Sequence, residues 1–300
     1  MVDSLLVSAI INGLALGAIY ALISIGLNII FGVMDFVNFA HGEYIMLSMY
    51  GTYFLYQFTG VNPLLLLVVM IPVMFVVGVI TQRVVFQPVL DAPGTMQIFL
   101  SLGLLLVLQN AAQIVFGVET RSLNIPWASQ TFSVLGTNIT YPRVAAIVLA
   151  VVTTLALFGF LRYTHLGRVI RATAQSEEGA ELMGVDSKRV YLVTFGLGLA
   201  LVGVASAPLT MIYFITPTIG VQFVLIAFVV VVLGGLGNLK GALYAGFFIG
   251  LLEAVVSLYL SSEIAAAIYF TLFICVLYVR SQYGALWDIV SRPNSGGVSR

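Results

Sequence analysis

An all-α, polytopic membrane protein is the fold class this sequence predicts, and three observations predict it. Hydrophobic residues make up 61% of the 300 and charged residues only 8%. Soluble domains carry about 25% charged residues, so a water-exposed globule of this composition would lack polar surface. Apolar runs of about 20 residues, each long enough to cross the hydrocarbon core as a helix, recur along the chain. Charge is gathered rather than spread. Of 12 basic and 12 acidic side chains, the stretch Arg162 to Arg189 holds five bases (Arg162, Arg168, Arg171, Lys188, Arg189) and four acids (Glu177, Glu178, Glu181, Asp186). Carrying this set across a bilayer would cost on the order of 25 kcal/mol. A domain is stable by only about 5–15 kcal/mol, so residues 162–189 lie outside the membrane. The bases near both ends put that loop on the cytoplasmic side.

Net charge is zero, which gives no case for nucleic acid. The one cysteine, Cys275, lies in the apolar run TLFICVLYV and is expected to be a small buried hydrophobe. It cannot build a disulfide or a thiolate metal cluster. The N-terminal apolar stretch runs past the length of a signal-peptide core and lacks a basic n-region, so it is expected to stay as a span.

The first span covers about Leu5 to Phe31. Gly13, Gly17 and Ala21 recur at four-residue spacing, a stripe that lets helix backbones approach closely, with Asn12, Ser24 and Asn28 able to hydrogen-bond across the interface. Next, Asp35, Asn38, His41 and Glu43 crowd the start of an otherwise apolar run that ends near Gly51. Asn38 and His41 would share a helix face, with Glu43 turned roughly 200° from His41. Gly42 weakens an unbroken helix there. Ionisable groups in or at the edge of a bilayer usually face a cavity or another polar group, so Asn38, His41, Gly42 and Glu43 are candidates for a solute pathway or its gate.

Further spans follow at about Pro63 to Gln82 and Met96 to Phe116, separated by a polar turn with Asp91, Pro93 and Gly94 that Arg83 places in the cytoplasm. Residues 117–142 form a long polar connection with Trp127 and Tyr141, expected on the opposite, periplasmic side. After a span at about Val144 to Leu161 comes the charged island. Ser176 can cap a short helix there, Glu177 and Glu178 occupy its first turn, and Gly184 supplies a stop. Ala180, Leu182, Met183 and Val185 then have no core of their own to fill. Such a helix docks into a partner's groove or lies on lipid headgroups.

The chain re-enters through about Val190 to Phe214, and Ile215 to Gly220 is expected as a non-helical connection on the far side. A span at about Val221 to Leu233 leads into LGGLGNLKG, where glycines break helix regularity. That tract is no P-loop, because Lys240 precedes Gly241 and Ala242 rather than Ser or Thr. About Ala242 to Leu260 carries Gly246 and Gly250 at packing spacing and one acid, Glu253, which must be protonated, paired or facing water. The last span, about Ile264 to Val279, ends at Arg280, and a tail with Arg292 and Arg300 is expected in the cytoplasm. The total is eight or nine transmembrane helices in a single domain, 1–300, whose two halves hint at an internal repeat.

Two stretches carry a resemblance. NFAHGE at residues 38–43, after GLALGAIYALISIGLNIIFGV, resembles the N-terminal signature of the LivH-type inner-membrane permeases of bacterial ABC importers for branched-chain amino acids. HLGRVIRATAQSEEGAELMGVDSKRVYLVTF and, further on, VVVLGGLGNLKGALYAGFFIGLLEAV match as well, so that the likeness covers essentially the whole chain. The resemblance implies a subunit in the bacterial inner membrane working with two cytoplasmic ATPases, a periplasmic substrate-binding protein and a second permease, either LivM-like or another copy of this chain. It also implies that loop 162–189 couples to the ATPase through an E-A-A-x-x-x-G pattern. Glu178, Ala180 and Gly184 fit that pattern, while Gly179 stands where its middle alanine belongs. Arg168, Arg171, Glu177, Leu182 and Met183 complete the expected coupling surface.

No HExxH helix and no GxSxG elbow occurs, and His41 and His165 lie far apart in the sequence. The chain is therefore expected to be no enzyme, with no metal and no cofactor of its own, ATP being bound by its partners. The expectation is an importer subunit for aliphatic amino acids, with Asn38, His41, Gly42, Glu43 and Glu253 on the pathway or its gate. The rivals are a permease for urea or short amides, and an ion-driven secondary transporter in which Glu43 and Glu253 bind protons or cations.

Overall fold

The structure, a computed structural model, describes residues 2–291 apart from 91, 126, 129, 135 and 136. Expectations for Asp91, Arg292 and Arg300 thus lie outside the described residues, as does the Arg280 side chain. In chain order the helices are α1 (Val2–Met34), α2 (His41–Thr59), α3 (Pro63–Thr81), α4 (Gly94–Phe116), α5 (Tyr141–Tyr163), α6 (His165–Gln175), α7 (Glu177–Leu182), α8 (Ser187–Ile212), α9 (Ile219–Gly234), α10 (Leu239–Tyr259) and α11 (Ser262–Ser291). A π-helical turn, Gln82–Phe86, prolongs α3. Among the described residues, seven helices (α1, α3, α4, α5, α8, α10 and α11) are long and apolar enough to cross a membrane. Helix α9 is apolar but only 16 residues long. Helix α2 has 19 residues but is rich in polar side chains.

One hairpin departs from the all-α expectation. Strands β1 (Thr131–Val134) and β2 (Thr137–Thr140) pair antiparallel, Thr131 opposite Thr140 and Val134 opposite Thr137. Backbone groups in a connection outside the helices still need partners, and strand pairing supplies them. Trp127 stacks edge-on against Tyr141, with ring centroids 6.5 Å apart, at the foot of the hairpin.

Helices α1 and α8 form the centre, and α1 packs against α10, α8, α5 and α9. The closest approach is the one the small-residue stripe foretells. A Cβ added to Gly17 would sit 2.7 Å from Phe247 Cα, and one on Gly246 would sit 2.6 Å from Ala21 Cα. Outer helices face outward with large apolar side chains, among them Phe99, Val107 and Ile114 on α4 and Val73 and Val76 on α3. Water cannot be the neighbour of such a belt; lipid or another membrane chain can.

Cys275 corrects its expectation. It is exposed. Helix α11 packs through one face only, and in a membrane both faces are apolar, so hydropathy does not tell buried from lipid-facing.

The two ends of the bundle differ. At one end Arg143, at the start of α5, donates to Asn12 of α1 at 2.6 Å, and Arg121 pairs backbone with Ile215 and lies over the Tyr53 and Phe54 rings. The other end gathers the close of α1, helices α6 and α7, and the glycine loop before α10 around one cleft of about 680 Å³. Here Asn28 does more than pack. Its Nδ2 donates to the Gly235 and Asn238 carbonyls at 3.3 and 2.9 Å, and its Oδ1 accepts the Gly237 N–H at 2.6 Å. Gly235 and Gly237 hold φ of 97° and 76°, a region side chains rarely adopt, so the loop depends on an outside clamp. Asn28→Leu leaves all three backbone groups without that partner and is expected to destabilise the fold by about 2–4 kcal/mol. Lower thermal stability in detergent, with earlier proteolysis near Lys240, is the measurable result.

Candidate functional site

The polar set near the start of α2 is built from a broken chain rather than a continuous helix. Helix α1 ends where Asp35 adopts φ 51°, and residues 36–40 turn back into the bundle before α2 begins at His41. Asn38 shapes that return: its Oδ1 accepts the Ala40 N–H at 3.0 Å, an Asx turn. The Ser101 hydroxyl of α4 accepts the Phe39 N–H at 3.3 Å. Aromatic rings hold the segment from both sides, Phe36 against Phe86 at 4.8 Å and Phe39 against Phe228 of α9 at 4.8 Å.

Asn38, His41 and Glu43 are all fully buried. They point to different neighbours, as their angular spacing implies. The His41 ring lies beside Gly26 of α1, and among the described residues neither of its nitrogens meets a hydrogen-bond partner. Glu43 turns to α9, its carboxyl pressed against Gly220. Among the described residues, no hydrogen-bond partner meets the Asn38 amide nitrogen or either carboxyl oxygen of Glu43, and both polar atoms of nearby Gln82 are in the same state. Between them, Gly42 crosses Gly220 backbone to backbone; a Cβ on Gly42 would overlap the Gly220 carbonyl oxygen. Gly220 therefore lies inside the bundle as part of α9, not in a connection at the far side. Its role was invisible in sequence, because the tract ITPTIG has the composition of a turn.

Glu253 stands apart from this set. It is partly exposed on α10 and accepts a 2.9 Å hydrogen bond from the Tyr20 hydroxyl of α1. Nothing in the sequence pattern linked Tyr20 to it, since the two residues come together only through the α1–α10 crossing.

The charged island folds as α6 and α7. Ser176 caps α7 as expected, accepting the Gly179 N–H at 3.0 Å, and Gly184 ends it with φ 83°. Thr164 caps α6 through the Gly167 N–H at 3.0 Å. Arg168, Arg171, Glu177 and Glu178 are exposed. Two apolar residues stand fully out, Leu182 at 83% and Met183 at 85% exposure. Ala180 corrects its expectation as an outward anchor: it is buried at 5%, because α7 lies back against α6 and α8 on that side. Val185 is half-buried for the same reason.

The comparisons with known proteins agree on one family. The model of the branched-chain amino acid transport system permease component matches residues 9–277. The chain belongs to that family. Among its relatives, the permease protein LivH of the high-affinity branched-chain amino acid transport system of Escherichia coli K12 is 33% identical over 284 residues, covering 89% of this chain and 91% of that one. LivH of Salmonella typhimurium is 32% identical over 281 residues, with the same coverage. BraD of Pseudomonas aeruginosa, a permease protein of the same kind of system, is 31% identical over 289 residues, covering 90% and 92%. No solved structure matches this chain. As a member of the permease family, the chain is a transport component and not an enzyme, which agrees with the lack of catalytic motifs in its sequence.

Proposed function

We propose that this chain is the membrane-spanning subunit of an ATP-driven importer that moves branched-chain, aliphatic amino acids inward across a bacterial inner membrane. The family match over residues 9–277 carries the reading. Its partners are two cytoplasmic ATPases, a periplasmic binding protein and a second permease, LivM-like or another copy. ATP is bound by those ATPases, and this subunit needs no cofactor.

The chain crosses nine times, α2 and α9 being the two irregular crossings, with its N-terminus outside. The bases flanking residues 162–189 and Arg83 support this sidedness. Loop 162–189 is the cytoplasmic coupling loop and loop 117–142 the periplasmic one. Leu182 and Met183 are the apolar anchors of the coupling surface, ringed by Arg168, Arg171, Glu177 and Glu178, and Gly184 sets its end. Asn38, His41, Gly42 and Glu43 form the gate at the crossing of α2 and α9, while Glu253, which is open on one side, lies on the pathway. Buried polar groups without partners favour rearrangement over a rigid core, which supports a gate there.

Reconstitution tests the reading. In liposomes holding the subunit with its ATPases, second permease and binding protein, labelled leucine uptake is expected only with ATP. Uptake by this chain alone, driven by a proton or sodium gradient, would overturn it.

A further inference from the structure

Gln82 poses a problem that packing does not solve. Helix α3 reaches Thr81, and Gln82–Phe86 then form the π turn, where the Gln87 N–H donates to the Gln82 carbonyl five residues back instead of four. Pro88 accounts for the change. It has no N–H to return to Val84, and its ring would strike the Val84 carbonyl of a regular helix. The turn therefore holds one residue more than an α-turn, a geometry found frequently at functional sites. Gln82 is fully buried in it, and among the described residues neither Nε2 nor Oε1 meets a hydrogen-bond partner. A buried amide left in that state is costly, and a side chain that only filled space would do so better without it.

A closed circuit of contacts ties this turn to the gate proposed above. Directly before Gln82, the Thr81 hydroxyl accepts a 3.1 Å hydrogen bond from Tyr44, the residue after Glu43 in α2. One turn after Gln82, the Phe86 ring lies 4.8 Å from Phe36, at the head of the return segment that carries Asn38. Phe195 of α8 closes the circuit, 5.3 Å from Phe86 and edge-on to Tyr44 at 6.5 Å. Both ends of residues 36–44 thus hang on the chain on either side of Gln82. The neighbouring backbone is held. Beyond the turn, the Gln97 amide of α4 reaches the Val89, Leu90 and Ala92 carbonyls at 3.3, 3.0 and 3.3 Å. Before it, Gly78 of α3 presses on α8, where an added Cβ would sit 2.9 Å from Gly196 Cα. The π turn is the irregular piece between two fixed ones, and a change of helix winding would be taken up there.

We propose that Gln82 is a positioning residue of the gate, orphaned in this conformation and satisfied in the one that passes solute. In that second conformation the π turn rewinds and draws Phe36 and Tyr44 with it, and α2 moves off α9 where Gly42 crosses Gly220. The Gln82 amide then bonds to water or backbone that the shift uncovers, so the side chain biases the gate toward opening. This rests on the functional reading given above and names the turn and the residue that drive the gate. In the sequence Gln82 merely closes the third span; its link to residues 36–44 runs through three other helices.

The test uses the complete importer in liposomes. Gln82→Met keeps the length of the side chain and removes the amide. It is expected to lower ATP-driven leucine uptake at least about tenfold, with the complex assembled and the subunit's melting temperature in detergent equal or higher. Unchanged uptake overturns the proposal, and so does a fall in uptake matched by a fall in melting temperature, which marks packing alone. A second measurement decides the case in which Gln82→Met does not assemble. Gln82→Cys, made with Cys275→Ser in an importer otherwise free of cysteine, is expected to react with a small water-soluble thiol reagent several-fold faster during ATP turnover than without ATP. Equal rates would mean that the turn stays packed throughout, and the proposal falls. If the unaltered importer takes up no leucine, the functional reading fails and takes this inference with it. If it does and Gln82→Met transports equally well, the inference alone fails.

Discussion

Arginine at both Leu182 and Met183 is expected to abolish ATPase docking and ATP-driven uptake while leaving the subunit folded in the membrane. Both side chains are more than four-fifths exposed, so the free subunit loses no internal contact when they change. In the docking proposed above they are the apolar anchors of a capped helix. Truncating such an anchor typically costs about 2 kcal/mol or more, and burying a charge in its place adds to that. Two anchors at that rate amount to about 4 kcal/mol, a thousandfold in affinity. Co-purification of the ATPase with the subunit, measured beside the subunit's own thermal stability, checks the expectation. Retained docking would move the coupling surface elsewhere on the loop. Ala180→Arg is the instructive contrast. Ala180 is buried against α6 and α8, and its backbone closes α7 through bonds with Ser176, Met183 and Val185. A guanidinium there breaks the loop itself, so any loss of docking would come with loss of stability. The E-A-A-x-x-x-G pattern does not separate those two roles, because its small residues can face either way.

That contrast shows how far the sequence carries. Charge segregation marked the stretch that holds α6 and α7, which lie between the apolar helices α5 and α8, and the Ser176 cap and Gly184 stop are where local chemistry requires them. The glycine stripes of α1 and α10 also announced a close crossing, since small residues at four-residue spacing serve little else in a membrane helix. What stayed hidden is what depends on distant elements meeting. Asn28 could be seen as polar, but its three bonds go to a loop more than 200 residues away. Tyr20 and Glu253 are 233 positions apart. Facing was hidden too: on α11 apolar side chains line both the packed and the lipid side, so the exposure of Cys275 does not follow from hydropathy, and the burial of Ala180 depends on how α7 lies against α6 and α8. Among the pathway candidates, the residue types at 38–43 signalled a special segment, but not that α2 starts inside the bundle or that α9 starts opposite it.

The crossing of those two helix starts should tolerate no side chain at all. Gly42→Val is expected to be the most damaging single substitution in the candidate site. Its Cβ would overlap the Gly220 carbonyl oxygen and come within 2.7 Å of the Gly220 carbonyl carbon and 2.9 Å of Val224 Cβ. The reciprocal Cβ on Gly220 would meet Gly42 O at 2.6 Å and the Glu43 carboxyl carbon at 2.8 Å. Because the opposing atoms are mainly backbone, no rotamer change can relieve the clash, and α2 and α9 must separate. Overpacking a core costs typically about 1–3 kcal/mol where side chains can give way, so about 3 kcal/mol or more is expected here. Separation would also pull Glu43 off Gly220 and open a route for water to its carboxyl. Gly103→Ala on α4 is the matched control. Nothing lies within 4 Å of a Cβ at that position. Alanine is the better helix former by about 1 kcal/mol, so that variant should be neutral or slightly more stable. Membrane abundance and detergent melting temperature, read for both variants, decide the matter. A Gly42→Val subunit as abundant and as stable as Gly103→Ala would mean that α2 and α9 do not cross in contact, and the gate assigned to residues 38–43 would lose its hinge.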